Sequence, residues 1–437
     1  MTRSRVQGSE LRVSREGKPE AGVRGPQAHA PDYGLIVITL ALLCIGIVMV
    51  YSASLVVSFR DHGDQTYFFQ RQMLWCALGV VVMCLTMRIP YHWWRHVSLL
   101  VLVVSVGLLL AVLVPGIGAT ELGATRWLSL GGISVQPSEL CKVTLAIYMA
   151  AWLSGKGERV KEFGYGLVPF VVILGLIVAL VMKQPDMGTA LVIIGTAVTI
   201  FFVSGASLLQ LVPVGLIGAG GMAMLAFNSS YRHGRLTAFL DPWSSAEDTG
   251  YHVVQSLIAL GAGGVRGLGL GDSRQKFGLL PFPYTDSIFA VIGEELGLIG
   301  CSIVLVLFLL LAYRGLLTAW RAPDRFGALL AIGISCQMVL QAFLNIAVVT
   351  STVPFTGITL PFVSYGGSSM LVSFAAMGIL LNVTQYTQER RASLRLVQDD
   401  GHEGPFAAAA ERRRHWWARV SDARRGPSRP RAAFARG

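Results

Sequence analysis

The stretch EELGLIGCSIVLVLFLLLAY, residues 294–313, combines two features that conflict in a membrane environment. Residues 296–313 carry no charge, and the run is long enough to cross a hydrocarbon core of about 30 Å. Glu294 and Glu295, at its start, are carboxylates that are costly beside a membrane span unless they are paired, solvated or used. The stretch therefore predicts a membrane helix whose first turns lie at headgroup level or face a wet cavity.

Apolar runs of similar length recur along most of the 437-residue chain. Hydrophobic residues make up 53% of the sequence and charged residues only 14%, which is too little charge for the surface of a soluble protein. Alternation typical of strands is absent, so a helical bundle is favoured over a barrel. We therefore predict an all-α polytopic membrane protein with about ten transmembrane helices. The ten runs lie near residues 34–53, 73–87, 97–115, 138–154, 166–182, 188–205, 208–227, 287–313, 327–349 and 358–382.

Basic residues predict how the chain is threaded through the membrane. An even number of spans places both termini on one side, and cations are retained on the cytoplasmic side. We expect cytoplasmic basic tails at residues 1–32 and 385–437, and a membrane domain at 33–384. The tails mix charge with Gly, Pro and Ala, which predicts disorder, and much of the net charge of +11 then attracts membrane lipid rather than nucleic acid. The short loops assigned inside carry Arg88, Arg95, Lys156, Arg159, Lys161, Arg314, Arg321 and Arg325.

The longest connection is an extracytoplasmic loop at residues 228–286, between the seventh and eighth predicted helices. Its segment HVVQSLIAL, residues 252–260, is too short to span and is expected to lie along or dip into the membrane interface. The run GAGGVRGLGLG, residues 261–271, imitates a phosphate-binding loop. No GK[ST] follows it and no βαβ unit surrounds it, so a nucleotide site is not predicted.

The same loop is locally basic, with Arg232, Arg235, Arg266, Arg274 and Lys276. One interpretation is solvated loop charge or contact with lipid headgroups. The other is a site for an anionic lipid such as a polyprenyl pyrophosphate, because guanidinium forks match phosphate oxygens. These residues alone leave both interpretations open.

Further polar residues lie where other predicted spans begin. Glu139 and Lys142 are three residues apart, so an ion pair within one helix explains them as well as a ligand site does. Asp186 and Asp286 each precede a helical pattern, where helix capping competes with a functional role. For the two glutamates of the opening stretch, the structural alternative is pairing with Lys142 or with a loop arginine.

Four motifs occur in a fixed order along the chain. They are ATRWLSLGGISVQPSELCK, QPDMGTA, FLDPWSSAEDTGYHVVQSLIALGAGGVRGLGLGDSRQKFGLLP with TDSIFAVIGEELG, and TGITLPFVSYGGSS. Together they resemble the SEDS family (shape, elongation, division, sporulation), from about the first span to the last. GDSRQKFGLLP followed by IGEELG is more similar to the cell-division branch of the family, FtsW, than to its elongation branch, RodA.

This resemblance implies a ten-helix enzyme of the bacterial inner membrane, at the division septum, that polymerises lipid II into glycan strands. In that reaction the 4-hydroxyl of one GlcNAc attacks C1 of a MurNAc, and undecaprenyl pyrophosphate leaves. The hydroxyl needs a base and the leaving group needs cations. The motif TD[FS]IFA assigns the base to Asp286, and the family's sensitive basic positions match Arg126 and Lys142. A monofunctional class B penicillin-binding transpeptidase and other cell-division proteins are the implied partners.

The chain departs from the family's pattern immediately before and after Asp286. Many members read LPEAHTDF, whereas Phe282, Tyr284 and Ser287 stand here in place of the Glu, His and Phe. If that Glu assists the base elsewhere, Asp286 acts here alone or together with a divalent cation, Mg²⁺ or Mn²⁺. The departures leave the resemblance over the rest of the chain intact.

We therefore predict a lipid II-polymerising glycosyltransferase with Asp286 as its base. The alternatives are a lipid II flippase, which would depend on a central cavity rather than on Asp286, and a non-enzymatic division scaffold that recruits a transpeptidase. No predicted span carries a charge near its middle, which counts against ion-coupled transport. The predicted ligands of sugar or pyrophosphate are Arg126, Gln136, Glu139, Lys142, Asp186, Arg232, Gln255, Lys276, Ser364, Tyr365 and Ser368.

Overall fold

The computed structural model describes residues 30–116, 118–121, 124–130, 133–227, 239–248 and 250–387. Within them, ten helices of sixteen residues or more occupy the ten predicted runs, and an eleventh, α8, is shorter. A small sheet of three strands lies between α3 and α4. The helices are α1 Tyr33–His62, α2 Tyr67–Arg88, α3 Tyr91–Val112, α4 Pro137–Ser154, α5 Val168–Lys183, α6 Met187–Val203, α7 Leu208–Phe227, α8 Tyr251–Gly263, α9 Ile288–Arg321, α10 Arg325–Val349 and α11 Gly367–Tyr386. The strands are β1 Gly118–Glu121, β2 Ala124–Leu130 and β3 Ile133–Val135.

Seven helical segments of the described chain are long and apolar enough to cross a membrane. They are α1, α2, α3, α9, α10, α11 and the segment Phe163–Lys183, which includes α5, while α6 is a shorter apolar helix. The helical bundle predicted from the apolar runs is thus confirmed.

Short turns make neighbouring helices antiparallel, and capping residues begin or end the helices. The side chain of Asp32 accepts a hydrogen bond from the Gly34 amide at 2.7 Å and begins α1. Gly63, at φ 70°, ends the same helix, and its amide donates to the Phe59 carbonyl. Asp324 begins α10 in the same way by accepting from the Gly327 amide. These caps satisfy backbone groups that a helix end leaves without partners.

Small residues allow the helices to pack closely, as membrane helices require. A Cβ atom on Gly79 of α2 would lie 2.2 Å from the Phe374 ring of α11. A Cβ atom on Gly378 of α11 would lie 2.4 Å from the Met83 carbonyl of α2. Phe374 and Met377 are fully buried, so α11 lies within the bundle core.

The three-stranded sheet corrects the expectation that strands are absent. β2 pairs antiparallel with β1, for example Trp127 with Ala119, and with β3, for example Ser129 with Ser134. The strands contain four, seven and three residues, which is too short for an alternating pattern to stand out from the surrounding glycines. The connection that the sequence presents as a loop is therefore a folded element.

The helix directions define two ends of the bundle. The loop end carries the turn at 63–66, the sheet, the turn at 184–186 and the segments 264–287 and 350–366. The opposite, terminal end carries both ends of the described chain, where the Asp32 amide donates to Thr384 Oγ1 at 3.0 Å. The short helix α8, which the sequence predicted, packs at the loop end with Val253, Val254 and Ala259 buried.

Candidate functional site

Asp286 lies at the loop end, immediately before α9, and is half-buried. Its Oδ1 atom accepts a hydrogen bond from Thr285 Oγ1 at 3.0 Å. Its Oδ2 atom lies 3.4 Å from the position that a Cβ on Gly357 would occupy. The N-cap position of α9 belongs to Ser287, whose side chain makes no capping bond. The Asp286 carboxylate thus lies against the segment 350–366, beside the start of a helix rather than in its capping position.

Asn345 of α10 fixes the backbone beside this carboxylate. Its Nδ2 atom donates to the Asp286 carbonyl at 2.8 Å and to the Ile358 carbonyl at 2.7 Å. The side chain is only 1% exposed. Sequence reasoning missed Asn345, although an amide within an apolar helix is a signal that could have identified it.

Arg126 of β2 connects the sheet to the turn between α5 and α6. Its Nε atom donates to the Gln184 carbonyl at 2.9 Å, and its Nη2 atom donates to the Pro185 carbonyl at 2.5 Å. The guanidinium is partly exposed at the loop end. The structure therefore brings Arg126 beside the second motif of the sequence, QPDMGTA.

Asp186 lies in a hydrogen-bond network with two other predicted site residues, Gln136 and Ser368. One oxygen accepts from the Thr189 amide at 3.1 Å, which confirms the predicted cap of α6. The other accepts from Gln136 Nε2 at 3.0 Å and from Ser138 Oγ at 3.1 Å. The backbone amide of Gln136 in turn donates to Ser368 Oγ at 3.2 Å. The starts of α4, α6 and α11 thereby converge at one place, each with the positive end of its dipole towards the loop end.

Lys142 and Glu139 form the ion pair within α4 that their spacing predicted. Lys142 Nζ donates to Glu139 Oε1 at 2.8 Å and to Gln341 Oε1 at 2.6 Å. Gln341 Nε2 continues the chain to the Thr359 carbonyl at 3.0 Å. Lys142 is 2% exposed and Glu139 is 5% exposed. The ammonium is enclosed by protein acceptors, so the structure corrects its assignment as a direct pyrophosphate ligand.

The glutamates of the opening stretch are buried, and their partners lie on α1 and on residues 273–276, after the Gly-rich run. Glu295 pairs with Lys276 at 3.1 Å and accepts from Ser52 Oγ at 2.6 Å. Both carboxylates are at most 1% exposed, so the expectation of a wet environment is wrong. The expected partners, Lys142 or a loop arginine, are also wrong, because the partner of Glu295 is Lys276.

Glu294 is satisfied without a formal countercharge. It accepts from Ser273 Oγ at 2.5 Å, from the Arg274 amide at 2.9 Å and from the Gln275 amide at 3.3 Å. Several hydrogen bonds to one buried carboxylate offset the cost of its burial. Glu294 and Glu295, near the start of α9, are therefore structural, and they hold the loop that precedes Asp286.

Lys276 is consequently not placed as an open phosphate ligand. Its Nζ atom is directed to Glu295, to Ser52 Oγ at 3.2 Å and to the Gly271 carbonyl at 2.5 Å. The residue is 2% exposed. Three acceptors match the three donors of an ammonium group, which corrects the prediction that Lys276 binds pyrophosphate directly.

Aromatic rings replace the family's histidine beside Asp286. The Tyr284 ring stacks on Phe68 with centroids 4.6 Å apart and meets Tyr365 edge-on at 5.6 Å. The Tyr365 amide donates to the Tyr284 carbonyl at 2.9 Å. Burial raises the pKa of Tyr284 to about 12 and also raises the pKa of Tyr365. Both phenols are therefore neutral donors near neutral pH.

The remaining predicted site residues are placed less centrally. Ser364 is buried and its Oγ accepts from the Leu360 amide at 2.8 Å, so it stabilises the turn that precedes α11. Gln255 is partly exposed on α8, and Arg232 lies outside the described residues. Within the described part of the chain, no group of three or more His, Cys, Asp or Glu side chains could hold a metal ion.

The sequence profile of the FtsW, RodA and SpoVE family, described as cell cycle proteins, matches residues 33–389. The chain belongs to this family. The resemblance drawn from the four motifs is therefore confirmed, and with it the polytopic helical membrane fold.

Curated relatives are similar to the chain over most of its length. The stage V sporulation protein E of Bacillus subtilis (strain 168) is 44% identical over 359 residues, which cover 82% of this chain and 98% of the relative. The probable peptidoglycan glycosyltransferase FtsW of Geobacter sp. (strain M18) is 43% identical, with 80% of this chain and 96% of the relative covered.

Solved structures show the same fold. A chain of a peptidoglycan synthase complex, solved to describe the structural coordination of polymerization and crosslinking, superimposes with a TM-score of 0.68 at 28% identity. The match covers 82% of this chain and 98% of that chain. The rod shape determining protein RodA of Thermus thermophilus gives a TM-score of 0.60 at 26% identity, with 82% and 97% covered.

Proposed function

We propose that the protein is a peptidoglycan glycosyltransferase that polymerises lipid II and releases undecaprenyl pyrophosphate. The observation that carries this proposal is the Asp286 carboxylate, half-buried at the loop end and backed by Asn345. It lies where α9 begins, at the same end as the converging starts of α4, α6 and α11. Relatives named probable peptidoglycan glycosyltransferases support the reaction class.

In the proposed reaction Asp286 takes the proton of the GlcNAc 4-hydroxyl. The hydroxyl oxygen then forms a bond to C1 of the MurNAc, while the bond from C1 to the pyrophosphate oxygen breaks. Arg126 is one described cation placed to bind the leaving pyrophosphate, because the residue is partly exposed at the loop end. Helix starts that present free amides favour the same negative charge.

The polar residues around Asp186 and Lys142 support this arrangement rather than touch the substrate in it. Gln136, Ser138, Asp186 and Ser368 hold the starts of α4, α6 and α11 together. Lys142 joins α4 to α10 through Gln341. Asp286 would hold a divalent cation, which would supply positive charge for the leaving pyrophosphate, because Mg²⁺ is usually held by one or two carboxylates plus substrate phosphates.

We further propose that the protein acts at the division septum, in the inner membrane, together with a transpeptidase. Apolar helices and the family place the chain in the bacterial inner membrane, and we infer both termini in the cytoplasm from the basic loops. The IGEELG and GDSRQKFGLLP motifs favour the division septum over cell elongation. The synthase complex among the structural relatives supports a penicillin-binding transpeptidase as the partner.

The experiment purifies the protein with its cognate transpeptidase and supplies lipid II and Mg²⁺ or Mn²⁺. Glycan polymer is then resolved on a gel. We expect Asp286→Asn to lower the polymerisation rate about 10²- to 10⁴-fold, the range that a general base contributes. Asp272→Asn is the matched control, because Asp272 is an exposed carboxylate on the preceding loop.

Each outcome of this experiment decides between the candidate functions. Polymer in the wild type and the control, but not in Asp286→Asn, supports the enzyme and its base. Equal polymer in all three proteins removes Asp286 from the mechanism. No polymer from the wild type, with lipid II moved across vesicle membranes, would establish the flippase. No polymer and no movement, with the transpeptidase still bound, would leave the scaffold.

A further inference from the structure

One buried ion pair closes the chain segment that contains Asp286. Lys276 and Glu295 are joined at 3.1 Å, and Asp286 lies near the middle of the segment between them. The two side chains are 2% and 0% exposed. The ion pair therefore joins the two ends of the segment 276–295, whose middle carries the candidate base Asp286.

Ser52 attaches this closure to the body of the bundle. Its hydroxyl lies 2.6 Å and 2.8 Å from the two oxygens of Glu295 and 3.2 Å from Lys276 Nζ. Ser52 belongs to α1, an element far from the segment in sequence. A movement of the ion pair relative to α1 would break all three contacts. The segment 276–295 is therefore anchored to α1.

Backbone hydrogen bonds also join the Gly-rich run to α9 close to this ion pair. α9 is interrupted at Gly297, whose φ of 65° and ψ of −162° are not helical. The Leu268 and Gly269 amides donate to the Glu294 and Glu295 carbonyls at 2.9 Å and 3.0 Å. On the other side of the break, the amides of 298 and 299 donate to the carbonyls of 264 and 265 at 2.9 Å and 3.3 Å. Broken backbone in a membrane helix requires such partners.

Buried residues lie on both sides of Asp286 within the segment that this ion pair joins. Leu280 is 2% exposed, and its amide donates to the Gln275 carbonyl at 2.8 Å. Ile288, Phe289 and Ala290, which follow Asp286 in α9, are buried as well. On the α9 side a shift of the ion pair is therefore transmitted to Asp286 through buried residues. On the Lys276 side, where Phe277, Leu279 and Phe282 are exposed, the segment is held at Leu280.

We propose that Lys276, Glu295 and Ser52 are positioning residues for Asp286. This inference rests on the proposed function, because it assigns to the ion pair the task of holding the base against its substrate. Lys276 would not bind pyrophosphate itself, since its three donors are already directed to Glu295, Ser52 and the Gly271 carbonyl. A displacement of about 1 Å at a reacting group can cost about 10²-fold in rate.

The experiment is a double-mutant cycle on the pair, in the full chain with its transpeptidase. Lys276→Met and Glu295→Gln should each lower kcat for lipid II polymerisation about 10²-fold, with KM changed less than about threefold. The double variant Lys276→Met/Glu295→Gln should recover to within about tenfold of wild type, because it leaves no unpaired buried charge. Ser52→Ala keeps the ion pair and is expected to lower kcat about tenfold.

Hydrogen exchange provides a readout that does not depend on activity. Amides at 277–287 should exchange faster in both single variants and return towards the wild-type rate in the double variant. The control is Lys161→Met/Glu158→Gln, which removes an exposed ion pair at the terminal end, 2.6 Å apart with side chains 58% and 89% exposed. It should change neither kcat nor exchange at 277–287.

Several results would overturn the proposal. Single variants that keep the wild-type kcat would do so, as would variants that lose kcat while exchange at 277–287 is unchanged. A double variant no better than the worse single variant would show that the residues do not act as a pair. A rise in KM without a fall in kcat would make Lys276 a substrate ligand. If the wild type forms no polymer, the proposed function fails, while the exchange data alone still decide the anchoring.

Discussion

At the scale of single residues, Asn345 is the clearest case of one side chain that serves two segments. Its Nδ2 group donates to carbonyls on both sides of the candidate site, at Asp286 and at Ile358. Along the chain these segments are separated by α9, the following turn and α10, and the bond from the Tyr365 amide to the Tyr284 carbonyl also joins them. The Asn345 side chain therefore contributes to the spacing between the candidate base and the segment 350–366.

We expect Asn345→Leu to lower polymerisation about 10²-fold, because Asp286 loses its backbone support. The change also leaves two buried carbonyls without their donor, which costs about 1–3 kcal/mol for each. Unfolding in detergent, followed by intrinsic fluorescence, and a polymerisation assay would measure the two effects. Phe343→Leu is the control, since Phe343 is 36% exposed on the same helix. An Asn345→Leu enzyme as active as this control would contradict the role.

Residue pairs that are close in sequence could be predicted, and distant pairs could not. The Glu139–Lys142 pair and the Asp186 cap follow from spacings of three residues along one helix. The partner of Glu295 could not be found in this way, because Lys276 approaches it only after the Gly-rich loop has folded back onto α9. For the same reason the sequence predicts that Lys276 binds a phosphate, because its true counterion, Glu295, is not close to it in sequence.

At the scale of elements, the Gly-rich run has a structural explanation that differs from the nucleotide loop it imitates. Gly267, at φ 80°, lies so close to α9 that a Cβ on it would be 2.1 Å from the Glu295 carbonyl oxygen. Gly297 faces it at a comparable distance, with a Cβ position 2.4 Å from the Gly267 amide. The glycines thus allow two backbones to pair across the break in α9.

We expect Gly267→Ala to destabilise the protein by about 2 kcal/mol or more, since positive φ and overpacking each cost about 1–3 kcal/mol. Gly271→Ala separates the two causes. Gly271 also has a positive φ, of 87°, but nothing lies within 4 Å of its Cβ position. Thermal unfolding of both variants in detergent should show the larger loss for Gly267→Ala. Equal losses would mean that the close backbone approach contributes nothing.

The elements that the sequence predicted well are those with long uniform composition. Each of the ten apolar runs corresponds to a helix of the described chain, and HVVQSLIAL corresponds to α8. The sheet escaped prediction because its strands are short and its stability comes from contacts such as that of Arg126 with the turn at 184–185. Such contacts join elements that are distant in sequence, so no local pattern reveals them.

At the scale of the whole molecule, the two ends of the bundle differ in where their cations lie, in short turns at one end and largely in the long loop 228–286 at the other. Short turns at the terminal end carry the cations Lys156, Arg159 and Lys161. The described chain also begins and ends there, with Asp32 bonded to Thr384. Cytoplasmic loops of membrane proteins are enriched in lysine and arginine. The terminal end is therefore expected in the cytoplasm, and the loop end, with Asp286, on the side where glycan strands are assembled.

Cysteine labelling in a variant without the six native cysteines tests this orientation. Asp64→Cys places a thiol in the exposed turn at the loop end, and Glu162→Cys places one in an exposed turn at the terminal end without removing a cation. A membrane-impermeant maleimide should label intact spheroplasts at position 64 and reach position 162 only after permeabilisation. A variant with both cysteines gives an internal reference for reactivity. Labelling of position 162 in intact spheroplasts would place Asp286 on the cytoplasmic side, where the proposed reaction could not build an external wall.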